Sequence, residues 1–219
     1  MHVVGRESDG DRSTPPTGHL GHYLARDGST GAAVGIDVDR PHAGLVVGKR
    51  GAGKSHTLGV LAEATARARG VAPIVADPMG AFAGLTAETN ADTERVPAHV
   101  IDAPTIRADA LPAAEWAELV GLDPSSGAGA LVWEAAASAS TLGGMLDRVG
   151  AADDERAVRR TASNHLRRAQ KWGVFDPNGI EVGDLLGPEV TVLSLAGVDD
   201  APTSAVVAAA SRLDRKSVV

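Results

Sequence analysis

Eight consecutive residues, GKRGAGKS at positions 48–55, contain three glycines and end in a lysine followed by a serine. Their spacing fits the pattern G-x-x-x-x-G-K-[S/T] without a mismatch, and this pattern is typical of loops that bind nucleotide phosphates. Glycines let the backbone wrap closely around a polyphosphate with its N–H groups turned inward. We therefore expect Lys54 to contact the β- and γ-phosphates of ATP, and the Ser55 hydroxyl to ligate Mg²⁺.

The residues on either side of the loop support the same interpretation. Apolar residues 43–47 predict a strand before the loop, and residues 54–69 predict a helix after it, with Gly70 as its C-terminal glycine. A glycine-rich turn that happened to carry Lys-Ser would not need strand, loop and helix in this order. We predict Lys54 as a catalytic residue within a nucleotide-binding segment made of Gly48, Lys49, Arg50, Gly51, Ala52, Gly53, Lys54, Ser55 and His56.

Asp77 ends a second apolar run, residues 72–77, which follows the predicted helix. In a parallel sheet the carboxyl ends of the strands face the ligand, so Asp77 is a candidate Mg²⁺ ligand together with Ser55. The alternative is an Asp-Pro pair that starts a turn, because Pro78 comes next. Taken alone, the residue pattern favours the turn.

The composition narrows the class of protein. The chain has 219 residues, of which 43% are hydrophobic and only 3% aromatic, and it has no cysteine, which excludes disulfides and thiolate metal sites. Seven histidines are scattered, and the only close pair, His19 and His22, has no evident carboxylate partner, which favours ordinary polar residues over metal ligands. No apolar run reaches the length of a membrane span, and the polar start is unlike a signal peptide. We expect a cytoplasmic protein without membrane contact.

Acidic residues outnumber basic ones, and most of the basic residues are arginine. The net charge is −7, from 18 Asp, 10 Glu, 17 Arg and only 4 Lys. Acidic excess with arginine in place of lysine resembles proteins of salt-loving archaea, although a GC-rich genome favours the same residues. We interpret the chain as archaeal and halophilic. Its acidity disfavours indiscriminate binding to nucleic acid, so any such contact needs a local basic surface.

One predicted helix, at residues 153–172, could supply a basic surface. Four of its cations fall within roughly 60° on a helical wheel, opposite an apolar stripe. The simpler interpretation is a solvated outer face. The sharper one is a contact for DNA, for the nucleotide of a neighbouring subunit, or for a partner nuclease. The four cations are Arg156, Arg160, Arg167 and Lys171; the stripe is Val158, Ala162, Leu166, Ala169 and Trp172.

The order of the predicted elements indicates an α/β protein with a parallel sheet flanked by helices. Residues 1–18 predict a flexible tail, and residues 19–42 a short β segment with a hairpin around Asp27-Gly28. Residues 43–219 predict a P-loop ATPase domain with a helical insertion at about 110–175. Its further predicted helices are at 112–121, with Pro112 in the first turn, at 124–140, with Asp123 as its cap, and at 202–212. Further strands are predicted at 99–102 and 189–195.

Three stretches resemble the central ATPase domain of HerA-type proteins, in the HerA/FtsK group of P-loop motors. They are VVGKRGAGKSHTLGVLAE, IVADPMGAFAGL and WGVFDPNGIEVGDLLGPEVTVLSLAGV. The resemblance runs from about Leu45 to the end of the chain. It implies a RecA-like P-loop fold, ATP and Mg²⁺ as ligands, a ring-shaped homo-oligomer that acts on DNA, and a nuclease as a candidate partner.

The chain departs from this family at two places. The family usually has Glu and Tyr after the glycine of its Asp-Pro-x-Gly stretch, where this chain has Ala81 and Phe82. The resemblance also implies a Walker B strand ending in Asp-Glu after the helix at 202–212, so we expect this chain to be truncated before it.

Two functions from different classes therefore remain open. The first is the ATP-binding, ATP-hydrolysing subunit of a HerA-like DNA translocase or helicase. The second is a non-hydrolysing ATP-binding module that regulates assembly. A small P-loop kinase is disfavoured, because no arginine-rich lid follows at the expected place.

Overall fold

The computed structural model describes residues 1–5, 16–68, 70–86, 97–187 and 189–216. The chain divides into two compact units. The first comprises Met1–Ile101 with Gly187–Leu193, and the second comprises Asp102–Leu186 with Ser194–Val219. Two small sheets and one long helix build the first unit, whereas the second is mainly helical.

The first sheet contains strands β1 (His2–Val4), β2 (Thr17–Leu24) and β3 (Thr30–Asp37) in the order β1-β3-β2. Strand β3 pairs in parallel with β1 and antiparallel with β2. The predicted hairpin is confirmed: β2 and β3 are joined by a turn in which the Asp27 carboxylate accepts hydrogen bonds from the Ser29 N–H (3.0 Å) and hydroxyl (2.7 Å). These two bonds lower the pKa of Asp27.

The predicted flexible tail over residues 1–18 differs from the structure at both ends. Strand β1 lies inside that range, and β2 begins there at Thr17. Ladder hydrogen bonds to β3 order these short segments, and a single-sequence pattern does not reveal that β1 pairs with a strand about 30 residues further along the chain. The rest of the predicted tail, residues 6–15, lies outside the described residues.

The second sheet contains β4 (Ile74–Asp77), β5 (Ala98–Asp102) and β6 (Val190–Ser194) in the order β4-β6-β5. All three strands were predicted within two residues of their observed bounds. The central strand β6 is almost wholly buried, as expected for a strand with neighbours on both edges. Helix α1 (Lys54–Ala66) is also confirmed, although it ends earlier than predicted.

Helix α1 packs through small side chains on two sides. Ala62 lies in a core with Val190 and Val192 of β6. Ala64 lies against the first sheet, where a Cβ added to Gly18 of β2 would stand 3.1 Å from the Ala64 Cβ. Because alanine and glycine have small side chains, α1 can approach both sheets of this unit closely.

The predicted strand at residues 43–47 is wrong. Residues 41–48 have no strand assignment, and Leu45 and Val47 are 87% and 75% exposed. A strand needs a hydrogen-bonded neighbour, and within the described residues the second sheet comprises only β4, β6 and β5. Apolar character alone therefore did not make this segment a strand, and it leads into the glycine-rich loop without a strand partner among the described residues.

The second unit contains six helices among its described residues. Helices α3, α4 and α5 pack against one another, and α6 packs against α7. Their core includes Trp116, Val132, Met145, Val149 and Leu166, all fully buried. The helices are α2 (Trp116–Leu119), α3 (Gly127–Ser138), α4 (Leu142–Ala151), α5 (Arg156–Gln170), α6 (Val182–Leu185) and α7 (Asp200–Lys216). None of the helices among the described residues is long and apolar enough to span a membrane.

Several helix boundaries in this unit differ from prediction. The predicted helix at 112–121 is a 3-10 turn, Ala113–Glu115, that continues into α2. Helix α3 begins later than predicted, because the Ser126 hydroxyl accepts the Gly129 N–H (3.0 Å) and so caps it, whereas Asp123 closes the preceding turn through the Ser125 N–H (2.8 Å). Helix α4 was not predicted: its glycine-rich sequence has low helix propensity, so packing against α3 and α5 stabilises it.

Gly129 of α3 lies very close to the backbone of Asp123, and this contact yields a stability prediction. A Cβ at this position would stand 2.1 Å from the Asp123 carbonyl oxygen, which is backbone and cannot rotate away. We expect Gly129→Ala to lower the free energy of unfolding by more than about 1 kcal/mol, although alanine is the better helix former by about that amount. Gly143→Ala in α4, where a Cβ meets nothing within 4 Å, should instead stabilise. Urea unfolding of both variants measures the difference; equal effects would contradict it.

Candidate nucleotide-binding loop

The glycine-rich loop adopts a conformation that depends on glycine. Gly51 and Gly53 have positive φ angles of 81° and 87°, a region that costs other residues roughly 1–2 kcal/mol. Gly48 serves a different purpose, since a Cβ there would stand 3.0 Å from the Ala52 Cβ. The Ala52 N–H donates to the Lys49 carbonyl (3.1 Å) and closes a turn between these glycines. The backbone conformation therefore favours glycine at positions 51 and 53, and close packing favours it at position 48.

The loop ends at the uncapped N-terminus of α1. Gly53 is the N-cap residue, and no side chain accepts a hydrogen bond from the first turn, which also contains no acid. The first N–H of the helix with a backbone acceptor inside the helix is that of Thr57, which donates to the Gly53 carbonyl (2.9 Å). The preceding N–H groups and the positive end of the helix dipole favour an anion at this point.

Lys54 lies across the loop. Its Nζ donates hydrogen bonds to the carbonyl oxygens of Gly48 (2.9 Å) and Lys49 (3.1 Å). The ammonium group is thus held among the loop's backbone groups, where it adds a full positive charge to their partial charges. An anion bound by the loop would meet this charge without any movement of the helix.

The other loop residues predicted to bind nucleotide are solvent-accessible. Lys49, Arg50, Ser55 and His56 are exposed, and none of them forms an ion pair within the described part of the chain. The Ser55 hydroxyl is therefore accessible to a metal ion, as its predicted role requires. The structure brings residues 48–56 together as one continuous segment, as local sequence already implied.

Asp77, the second predicted Mg²⁺ ligand, already has hydrogen-bond partners for both of its carboxylate oxygens. It is buried, with 2% exposure, at the end of β4. One carboxylate oxygen accepts the N–H groups of Met79 (3.2 Å) and Ala81 (3.0 Å), and the other accepts that of Phe82 (2.8 Å). The carboxylate thus holds the loop that follows β4 in shape, which is the role of the turn-forming alternative. Its role as a Mg²⁺ ligand stays a prediction.

Asp102 is an acid that sequence reasoning missed. It ends β5 after the apolar run of that strand, is exposed, and its carboxylate has no hydrogen bond or ion pair to another described residue. The next residue, Ala103, has a φ of 47°, which is unusual for a residue other than glycine. The apolar-then-Asp pattern that drew attention to Asp77 would also have found Asp102.

The basic helix of the second unit is α5. Its apolar stripe is buried through Ala162, Leu166 and Ala169, each with 0% exposure, as predicted. The four cations on the opposite side of the helix, Arg156, Arg160, Arg167 and Lys171, are exposed, and no acid among the described residues pairs with them. Arg159 differs, because its Nη1 donates to the Gly150 carbonyl (3.2 Å) at the end of α4. Arg159 is therefore a structural residue, whereas the cationic face remains accessible.

The comparisons with known proteins point to one family. The family described as "Helicase HerA, central domain" matches residues 19–213, which include the glycine-rich loop, the whole second sheet, strand β3 with most of β2, helices α1 to α6 and most of α7. No curated protein matches the chain.

Proposed function

The chain belongs to the HerA central-domain family, a family of P-loop ATPase motor domains, and on that premise we propose that it is the ATP-binding subunit of a HerA-like DNA translocase or helicase. The observation that carries the proposal is the loop at residues 48–55. Its left-handed glycines, the uncapped start of α1 and the Lys54 ammonium all favour a polyphosphate at one place.

ATP and Mg²⁺ are the proposed ligands of this loop. The Lys54 ammonium exchanges its hydrogen bonds to the Gly48 and Lys49 carbonyls for bonds to the β- and γ-phosphates. The Ser55 hydroxyl, one residue further, contributes an oxygen to Mg²⁺, which prefers oxygen ligands. Calorimetric titration with Mg·ATP, using the wild type and Lys54→Ala, tests this step.

A ring of identical subunits is the proposed assembly, because HerA-family members typically form rings. Head-to-tail contacts between identical subunits close into a ring when the rotation between them allows it. Light scattering at several ionic strengths tests the proposal: a stable monomer with and without Mg·ATP would contradict it. A nuclease remains the candidate partner of such a ring.

The cationic face of α5 is the proposed contact for DNA. Residues 156–171 contain six of the 21 Lys and Arg residues and no acid, in a chain whose net charge is −7. Phosphate contacts require such a local concentration of positive charge, because the rest of an acidic chain repels DNA. The face is defined by four exposed, unpaired cations: Arg156, Arg160, Arg167 and Lys171.

Replacing these four cations by alanine should reduce the salt dependence of DNA binding. Each phosphate contact releases about one counterion, so the slope of log K against log salt should fall by about one unit per residue. Arg26→Ala with Arg40→Ala, which removes two exposed arginines of the first unit, should leave the slope unchanged. Fluorescence anisotropy over a salt series measures the slopes. Identical slopes in the quadruple variant and the wild type would support the solvated-face interpretation instead.

A non-hydrolysing ATP-binding module is the second candidate function. Two observations favour it: the Asp77 carboxylate is occupied by three backbone N–H groups of its own loop, and Ala81 stands where the resemblance implies a glutamate. Such a module would bind Mg·ATP and change its assembly without turnover. Phosphate release distinguishes it from the motor subunit.

A further inference from the structure

Strand β2 has an irregularity that brings two histidines to the same face of the first sheet. His19 pairs with Gly35 of β3, and His22 pairs with Ala33, with a register shift between His19 and Gly21. Gly35 and Ala33 are two residues apart on β3 and therefore lie on one face. Since directly paired residues share a face, His19 and His22 lie there together. In a regular strand, residues three apart would lie on opposite faces.

The two imidazole rings are in contact on this face. Their centroids are 5.1 Å apart and their planes are inclined by 63°. Both side chains are exposed, and the face is the one opposite α1, because the neighbouring Gly18 faces Ala64 of that helix. Their direct cross-strand neighbours, Gly35 and Ala33, are the two smallest residue types, so neither of these neighbours covers the pair.

This separation matches a shared metal ion. Imidazole nitrogens bind Zn²⁺ at about 2.0–2.1 Å, and at near-tetrahedral angles this places the two ring centres roughly 5 Å apart. We propose that His19 and His22 form a surface site for a divalent transition-metal ion of the Zn²⁺ class. No group of three metal-ligating side chains occurs among the described residues, so water fills the remaining coordination positions of this ion.

The chemistry of the pair separates this site from the nucleotide loop. Neutral imidazole is a good ligand for Zn²⁺, Ni²⁺ and Cu²⁺, whereas Mg²⁺ prefers oxygen and keeps its water. The site therefore discriminates against the metal expected with ATP. With only two protein ligands, it binds its ion reversibly.

Calorimetric titration of the nucleotide-free protein with ZnCl₂ tests the proposal. We expect one Zn²⁺ per chain, an affinity at least tenfold lower in His19→Ala and in His22→Ala, and a still lower affinity in the double variant, which has neither ligand. His99→Ala, which removes an exposed histidine of β5, is the matched control and should bind like the wild type. MgCl₂ in place of ZnCl₂ should produce no binding at this site.

A Gly21→Ala variant tests the role of the β-bulge, the register shift between His19 and Gly21, separately from the role of the two histidine ligands. Gly21 has a φ of 150°, which a side chain disfavours, so the variant should disturb the bulge and weaken Zn²⁺ binding although both histidines remain. The thermal unfolding midpoint, measured without metal, shows whether each variant is folded. Unchanged Zn²⁺ affinity in a folded His19→Ala or His22→Ala variant, or an equal loss in His99→Ala, would overturn the proposal.

Discussion

Replacing Lys54 by alanine should weaken Mg·ATP binding by about 10- to 100-fold, because a hydrogen bond to a charged partner contributes about 1.5–3 kcal/mol. In the nucleotide-free protein the Lys54 ammonium lies across the loop on the Gly48 and Lys49 carbonyls. Its removal takes away a full positive charge that is hydrogen-bonded to the loop backbone. The helix N-terminus and the loop N–H groups remain, so binding should weaken without vanishing. Calorimetry at high salt measures the change.

Lys49→Ala is the matched control for this experiment. Lys49 lies in the same loop and has the same charge, but its ammonium group is exposed and donates no hydrogen bond to a described residue. We expect at most a few-fold loss in this variant, through the weaker long-range attraction alone. If Lys49→Ala and Lys54→Ala lost affinity equally, the effect would be one of net charge. Unchanged affinity in Lys54→Ala would place the nucleotide elsewhere.

The 219-residue chain alone should hydrolyse ATP far more slowly than about 1 s⁻¹, the lower end of the ordinary enzyme range. Phosphoryl transfer depends on positioning a water in line with the γ-phosphate and on stabilising the charge that develops. The loop at 48–55 supplies a cradle, a lysine and one Mg²⁺ ligand. Asp77, the acid that ends β4, already accepts three backbone hydrogen bonds, and Ala81 and Phe82 cannot orient a water.

Steady-state phosphate release from the purified chain measures this rate. Lys54→Ala controls for a contaminating ATPase, since activity that persists in that variant does not come from this loop. Turnover near 1 s⁻¹ that Lys54→Ala abolishes would show that an acid of this chain orients the water. Asp77→Asn and Asp102→Asn would then identify it: Asp102 has an exposed carboxylate free of described partners, whereas loss of Asp77 would also disturb the loop it holds.

The sequence by itself determined the features that depend on a few neighbouring residues. The glycines of the loop at 48–55 are needed where they stand, because Gly51 and Gly53 adopt φ angles that other residues avoid. The turn at Asp27-Gly28 forms for the same kind of local reason. The buried stripe of α5 follows from the helical repeat. In each case the residues that determine the conformation lie within a few positions of the residues that adopt it, so the sequence alone is sufficient to predict it.

Only the tertiary structure decided the features that depend on distant partners. Residues 43–47 have the pattern of a strand but no strand to pair with among the described ones, so they remain unpaired. Helix α4 forms from glycine-rich sequence because α3 and α5 cover it. His19 and His22 meet because pairing with β3 forces a bulge between them. Pairing and burial stabilise a segment only when its partner is present, and a single sequence pattern does not name that partner.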